Sequence, residues 1–174
     1  MDATLIATIV VAAVALATLL SGFRVINEYE RGVVFRLGKF DRVVTPGPCL
    51  IVPFGVEHLV RVDARTTVTA IPLQEINTAD NFTVRVLPTM QSQVIDPRLA
   101  VTKVANHQAA SVQVVQATVR SVVSRVALHV LLTARSFVDD TVQRLVDRET
   151  EPWGVKVSAV EINDIQLLTP STEH

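Results

Sequence analysis

Residues 111–126 read Ser111-Val112-Gln113-Val114-Val115-Gln116-Ala117-Thr118-Val119-Arg120-Ser121-Val122-Val123-Ser124-Arg125-Val126, and in this stretch the chain takes up a helical period. Val112, Val115, Val119, Val122 and Val126 recur at spacings of 3, 4, 3 and 4, an apolar seam along one helical face. Valine is a middling helix former, so this helix depends on what the seam packs against, either the domain's own sheet or a second subunit. Upstream, Asp96-Pro97 opens the helical region: aspartate is a good N-cap, and proline suits the first helical position, where a missing N–H costs nothing. Downstream the pattern predicts a second helix over 136–149, with Asp140 and Arg144 at i,i+4, a pair worth about 0.2–0.5 kcal/mol. Thr150-Glu151-Pro152-Trp153-Gly154 stops it, and residues 155–162 alternate as a closing strand.

Before Asp96 the period is two. Val25-Ile26-Asn27 and residues 32–37 are short apolar runs with a Gly38-Lys39 turn after them, residues 56–62 alternate, 66–71 are rich in β-branched residues, and Thr83-Val84-Arg85-Val86 alternates again before Pro88. Thr45-Pro46-Gly47-Pro48 is the strongest loop signal, since prolines remove donors and glycine permits positive φ. It leads into an apolar patch, Cys49-Leu50-Ile51-Val52-Pro53-Phe54. Strands followed by helices and a closing strand predict an α+β fold, an antiparallel or mixed sheet with packed helices.

The 174 residues carry 16 Lys+Arg against 17 Asp+Glu, so no basic excess exists to collect phosphates and a nucleic-acid-binding module is disfavoured. One cysteine, Cys49, excludes a disulfide framework within the chain and a two-pair cysteine zinc site. The positive mean hydropathy of +0.38 traces instead to the start of the chain, where residues 3–23 hold no charge. About 20 helical residues span a hydrocarbon core roughly 30 Å thick, so residues 1–23 read as a transmembrane anchor. The competing reading is a cleaved signal peptide, but Met1-Asp2 supplies no basic n-region and the apolar run is long for one. Arg24, Arg31, Arg36, Lys39 and Arg42 follow the segment, which by the positive-inside rule keeps the following domain on the cytoplasmic side of a single-pass membrane protein.

Catalytic patterns are missing from the sequence. It has no Gly-rich phosphate loop and no Gly-x-Ser-x-Gly elbow, and His58, His107, His129 and His174 stand apart without metal-ligand spacing. Ser111, Ser121, Ser124 and Cys49 have no recognisable base partner, and Asp139-Asp140 reads as a solvated helix face. The expectation is a non-enzymatic protein with no cofactor and no metal.

Residues 27–39, Asn27-Glu28-Tyr29-Glu30-Arg31-Gly32-Val33-Val34-Phe35-Arg36-Leu37-Gly38-Lys39, resemble the opening motif of stomatin-like (slipin) proteins of the SPFH or band 7 (prohibitin-homology) group. Thr45-Pro46-Gly47-Pro48-Cys49-Leu50 with Pro53 is similar to that family's Gly-Pro-Gly loop, Arg61-Val62-Asp63-Ala64-Arg65 to its Val-Asp-x-Arg strand, and Asp96-Pro97 through Val101 to its Asp-Pro-x-x-Ala-Val turn. Residues 116–122 and 150–162 match two further blocks, so the resemblance runs in one order over residues 24–168. It implies a transmembrane anchor at 1–23, an SPFH/band 7 domain at 24–168 and a short tail at 169–174. It further implies a scaffold that oligomerises and organises membrane microdomains, with Leu50, Ile51, Val52 and Phe54 in shallow contact with membrane lipid, unless that stretch is a buried core strand.

The partners the resemblance implies are copies of the chain or longer paralogues. The alternative it raises is a regulatory subunit of a membrane protease or of an NfeD-like protein. Two departures bear on structure. Pro88 cannot donate to a ladder, which predicts that the strand after Thr83 is an edge or broken. The Ala/Glu-rich coiled-coil helix expected after Leu168 is not represented in residues 169–174, so a short paralogue is expected.

Overall fold

Alternation before Asp96 becomes strand almost throughout in the computed structural model, which describes Ala12 and residues 22–52 and 55–168. Most of the expected anchor, the tail at 169–174, and Pro53 and Phe54 of the apolar patch lie outside the described residues. The chain divides into two units, residues 1–64 and 65–174.

The first unit contains β1 (Phe23–Ile26), β2 (Glu30–Arg36), β3 (Lys39–Val44), β4 (Gly47–Leu50) and β5 (Glu57–Asp63). β2 is central in an antiparallel sheet of order β3-β2-β5, and β1 pairs antiparallel with β4. β4 runs through Gly47 and Pro48, where a loop is expected. As a two-stranded pair it leaves Pro48 on an edge, the position a residue without an N–H can hold. Gly32 sits in the middle of β2 because a Cβ there would lie 2.6 Å from Ile26 Cδ1 and 2.8 Å from Leu59 Cδ1. The bare backbone lets Ile26 reach the sheet and build a small core with Cys49 and Ile51.

The second unit contains β6 (Thr67–Ala70), β7 (Gln74–Asn77), β8 (Thr83–Val94), α1 (Pro97–Thr102), α2 (His107–Val123), α3 (Leu128–Thr133), α4 (Arg135–Thr150), a 3-10 turn (Glu151–Trp153) and β9 (Val155–Leu168). The expectation of a broken or edge strand at Pro88 is corrected: β8 is twelve residues long and central, pairing β6, β7 and β9. β9 follows one edge of β8 along its length, while β7 pairs residues 83–86 and β6 residues 89–92 on the other, so Pro88 falls in the gap between two partners. On the β9 side the register shifts at Leu87/Pro88, skipping Asn163, so the ladder asks no N–H of the proline. Asn163 then donates from Nδ2 to Thr89 Oγ1 at 2.9 Å. Pro88 carbonyl accepts from Ile71 N–H at 2.9 Å, and the side chains of Val84, Val86, Pro88 and Met90 all point into the core.

Asp96 caps α1 as expected, its Oδ1 accepting from Arg98 N–H at 2.9 Å and Leu99 N–H at 3.3 Å. α2 and α4 lie on the sheet and share one core, in which Val115, Val119, Val123, Val138, Val142 and Val146 meet Val84, Val86, Met90, Val157, Val160 and Ile162. α3 is capped from a distance, by the Asp80 carboxylate accepting from Leu128 N–H at 3.0 Å.

One edge of β9 is covered by a stripe on α4 at i, i+4, i+8. Asp139 Oδ1 accepts from Ile162 N–H at 3.3 Å, Gln143 Nε2 donates to Val157 carbonyl at 2.7 Å, and Asp147 Oδ1 accepts from Val157 N–H at 3.0 Å. These bonds satisfy backbone groups that β8 does not reach. Asp139 is therefore not on a solvated face: burial raises its pKa, opposed by the Ile162 N–H. Arg144 meets the Asp140 carbonyl at 3.3 Å through Nε instead of pairing with its carboxylate, and the i,i+4 ion pair on this helix is Arg135–Asp139 at 4.0 Å.

Candidate functional site

In an antiparallel pair, residues directly opposite share a face, so the Phe23–Leu50 and Val25–Pro48 pairs of β1 and β4 put Phe23, Val25, Pro48 and Leu50 on one side. Their partners in alternation, Ile26 and Cys49, turn the other way into the small core. The outer side is exposed: Phe23 55%, Val25 56% and Leu50 57%, with Val52 at 43% just beyond β4. Such apolar side chains grouped on a pair of short strands form a patch that water alone does not favour. Of the residues assigned by resemblance to membrane contact, Leu50 and Val52 are on this patch. Ile51 is buried, and its N–H donates to the Gly22 carbonyl at 2.8 Å. Phe54 lies outside the described residues.

The patch is held by a residue that sequence reading overlooks, Glu57. It opens β5 directly opposite Arg36 of β2, and its side chain is 1% exposed. Its carboxylate accepts from Arg36 Nη2 at 2.9 Å, from Arg42 Nη1 at 3.2 Å and from Val52 N–H at 3.0 Å. Arg42 Nη2 also reaches the Leu50 carbonyl at 3.4 Å. The Val52 N–H, reinforced by Arg42, holds the Glu57 carboxyl below the usual carboxylate range, and the Glu57 carboxylate raises the Arg42 guanidinium. This buried acid, together with Arg42, thus ties the backbone at Leu50 and Val52 to the β2–β3–β5 sheet. The signal for it in sequence is an acid opening an alternating strand whose cationic partners, Arg36 and Arg42, sit on the two other strands of the sheet, legible only once the register is known.

The seam residues divide. Val115 and Val119 are fully buried in the core of the second unit, whereas Val112, Val122 and Val126 are half-buried at its rim, Val126 beyond the end of α2. Val123, not counted in the seam, is fully buried with Ser111 completing the face. Ser111 Oγ donates to the His107 carbonyl at 2.8 Å. His58 and His129 are exposed, and His107 begins α2 with its pKa lowered by burial. Among the described residues no group of three or more His, Cys, Asp or Glu side chains is placed to hold a metal ion, and no helix is long and apolar enough to cross a membrane.

Comparison with known proteins places this geometry. The SPFH domain / Band 7 family model matches residues 24–170. A stomatin homolog of Pyrococcus horikoshii is 44% identical over 149 residues, 86% of this chain and 56% of that protein. Human stomatin-like protein 3 is 36% identical over 146 residues, 83% of this chain and 50% of that protein. An uncharacterized protein of Methanocaldococcus jannaschii is 35% identical over 152 residues, 87% of this chain and 76% of that protein. The chain thus spans little more than half the length of the stomatin relatives it matches. With the family match covering both units, the chain belongs to the SPFH/Band 7 family and is a stomatin-like protein.

Proposed function

We propose that this chain is a membrane-anchored scaffold of the stomatin type. The anchor expected within residues 1–23 crosses the bilayer once ahead of β1, the domain stays on the cytoplasmic side, and Phe23, Val25, Leu50 and Val52 rest on the adjoining leaflet. Copies, alone or mixed with longer paralogues, associate into oligomers that organise membrane microdomains. The observation that carries this reading is continuity: the charge-free run at 3–23 leads directly into β1, whose exposed face is apolar and paired with Leu50. A protein–lipid contact of this size is weak alone, and repetition over many copies multiplies it.

The test is the particle mass of the full-length protein extracted from membranes in mild detergent. A large, discrete homo-oligomer supports the scaffold. A monomer that co-purifies with one stoichiometric membrane protease or NfeD-like protein supports the regulatory subunit instead. Recovery in the soluble fraction without detergent refutes the anchor.

A further inference from the structure

The β2–β3 hairpin turns on Leu37-Gly38, with φ of +49° and +79°. Two central residues at positive φ are the signature of a type I′ hairpin turn, whose first position favours Asn, Asp or Gly. Leucine there is conformationally unfavourable, and it gains nothing in return by packing, since its side chain is 78% exposed. An apolar residue held in a strained turn and presented to solvent points to a use outside the folded chain.

Position supplies the use. Leu37 N–H donates to the Val56 carbonyl at 2.8 Å, so the hairpin tip is tied to the segment that follows Leu50 and Val52. The tip is flanked by Arg36 and Lys39, which face each other across the turn. Arg36 spends its charge on the buried Glu57, but Lys39 is exposed and has no ion-pair partner among the described residues. An apolar tip with a free ammonium beside it matches a bilayer surface: leucine enters below the headgroups and the lysine meets anionic phosphates at their level.

We propose that Leu37 is a second membrane-inserting element, and that Lys39 makes its insertion depend on anionic lipid. This rests on the membrane-face reading above and adds a lipid class to it. The experiment uses the full chain with Cys49→Ala, reconstituted into vesicles, and an environment-sensitive fluorophore on Leu37→Cys or, separately, on Leu50→Cys. In vesicles of phosphatidylcholine with phosphatidylglycerol, the label at 37 should emit blue-shifted and resist aqueous iodide as well as the label at 50. In pure phosphatidylcholine, or with Lys39→Glu, protection at 37 should be lost while that at 50 persists.

A label at 37 that iodide quenches freely, beside a protected label at 50, overturns the inference and leaves the membrane face intact. Quenching at both positions defeats the membrane-face reading itself. Equal protection at 37 with and without anionic lipid overturns the role of Lys39, and protection that grows with protein-to-lipid ratio places a second copy there instead. As an independent check, Leu37→Asn should raise the melting temperature in detergent by relieving the turn; a fall would contradict the strain on which the inference stands.

Discussion

Replacing Gly154 by alanine tests how the two halves of the second unit are joined. Gly154 follows the 3-10 turn at φ +71°, and a Cβ there would meet the Asp96 carbonyl oxygen at 2.4 Å, Asp96 Cβ at 2.9 Å and Leu99 Cβ at 3.1 Å. Asp96 cannot retreat freely. Its N–H and that of Ile95 both donate to the Gly154 carbonyl, at 3.1 and 2.8 Å, its own carbonyl accepts from Ala100 N–H, and its side chain caps α1. Placing a non-glycine residue in the left-handed region costs about 1–2 kcal/mol. Disturbing the cap costs about 0.5–2 kcal/mol more, and the lower entropy of the unfolded alanine chain returns only about 0.4–1 kcal/mol.

The net loss is about 2 kcal/mol, which in a unit of this size lowers the melting temperature by roughly 10 °C. Thermal denaturation of the detergent-solubilised chain, followed by circular dichroism, reads it. Gly154→Asn sharpens the test, because asparagine tolerates positive φ but carries the same Cβ. It should escape most of the left-handed penalty of about 1–2 kcal/mol and so melt above alanine, while the contact with Asp96 still keeps it below wild type. If Gly154→Asn melts like wild type, the close approach to Asp96 is not what fixes this glycine; if Gly154→Ala does too, the whole account of the junction fails. Gly38, at φ +79° with open space for at least 4 Å around the position a Cβ would take, is the contrast: Gly38→Ala should cost only about 1 kcal/mol.

Other consequences of the packing are as direct. Val123→Ala should cost about 1.5–3 kcal/mol in chemical denaturation, against less than about 1 kcal/mol for half-buried Val122→Ala, and equal losses would contradict the assigned face of α2. Val119→Asp, which buries an unpaired charge, should prevent folding of the second unit, so a wild-type melting temperature would refute its placement in the core. Asp147→Ala leaves the Val157 N–H without its acceptor and should cost about 1–3 kcal/mol, with faster hydrogen exchange at Val157 while the middle of β8 stays protected. Because the folded-state pKa of Glu57 is depressed, its ionised form stabilises the fold above the unfolded carboxylate pKa of about 4.3. The stability advantage of wild type over Glu57→Gln should therefore be full at neutral pH and shrink as pH falls through the depressed value; a gap that widens in acid would give the linkage the wrong sign.

The α+β order and the α1 cap were legible because they are local. Asp96-Pro97 acts through its own backbone, and Gly38 marks the hairpin, although the turn expected at Gly38-Lys39 falls one residue earlier, on Leu37-Gly38, with Lys39 already opening β3. What escaped depends on partners. Pro88 argues against a central strand by itself, but β6 and β7 divide one edge of β8 and a bulge at Asn163 relieves the other, so the missing N–H is never asked for. A second bulge, at Ser158 where the register shifts between Gln91 and Ser92, explains why alternation in β9 slips from Val155 and Val157 to Val160 and Ile162. Gln74–Asn77 has no apolar run to mark it, and becomes β7 because β8 offers it a ladder. In α2 the 3-4-3-4 spacing picks Val122 over Val123 although both are valine. The sheet buries the face carrying Ser111, Val115, Val119 and Val123, and no local pattern distinguishes that choice. At the apolar face the resemblance named Leu50 and Val52, which are exposed there, but also Ile51, which is buried, and it named neither Phe23 and Val25 nor Glu57, whose role exists only through register across three strands.

Glu57 also bears on why a patch of so few residues would suffice. Fully burying a side chain the size of leucine or phenylalanine is worth about 1.5–3 kcal/mol, so half-exposed Phe23, Val25, Leu50 and Val52 can gain only about half of that each on a bilayer. If Val52 and Leu50 had first to be ordered, the entropy of fixing each backbone residue, about 1–2 kcal/mol, would consume the gain. The Glu57 carboxylate on Val52 N–H and the Arg42 guanidinium on the Leu50 carbonyl meet that cost during folding. A preordered patch of marginal affinity resembles a single acyl chain, reversible alone and stable when coupled to a second attachment. In the proposed reading the apolar run ahead of β1 would supply one such attachment, and association between copies would supply more. If residues 3–23 span a bilayer as proposed, that segment alone decides where the protein resides, and the weak face adds only a dependence on the lipid beneath it.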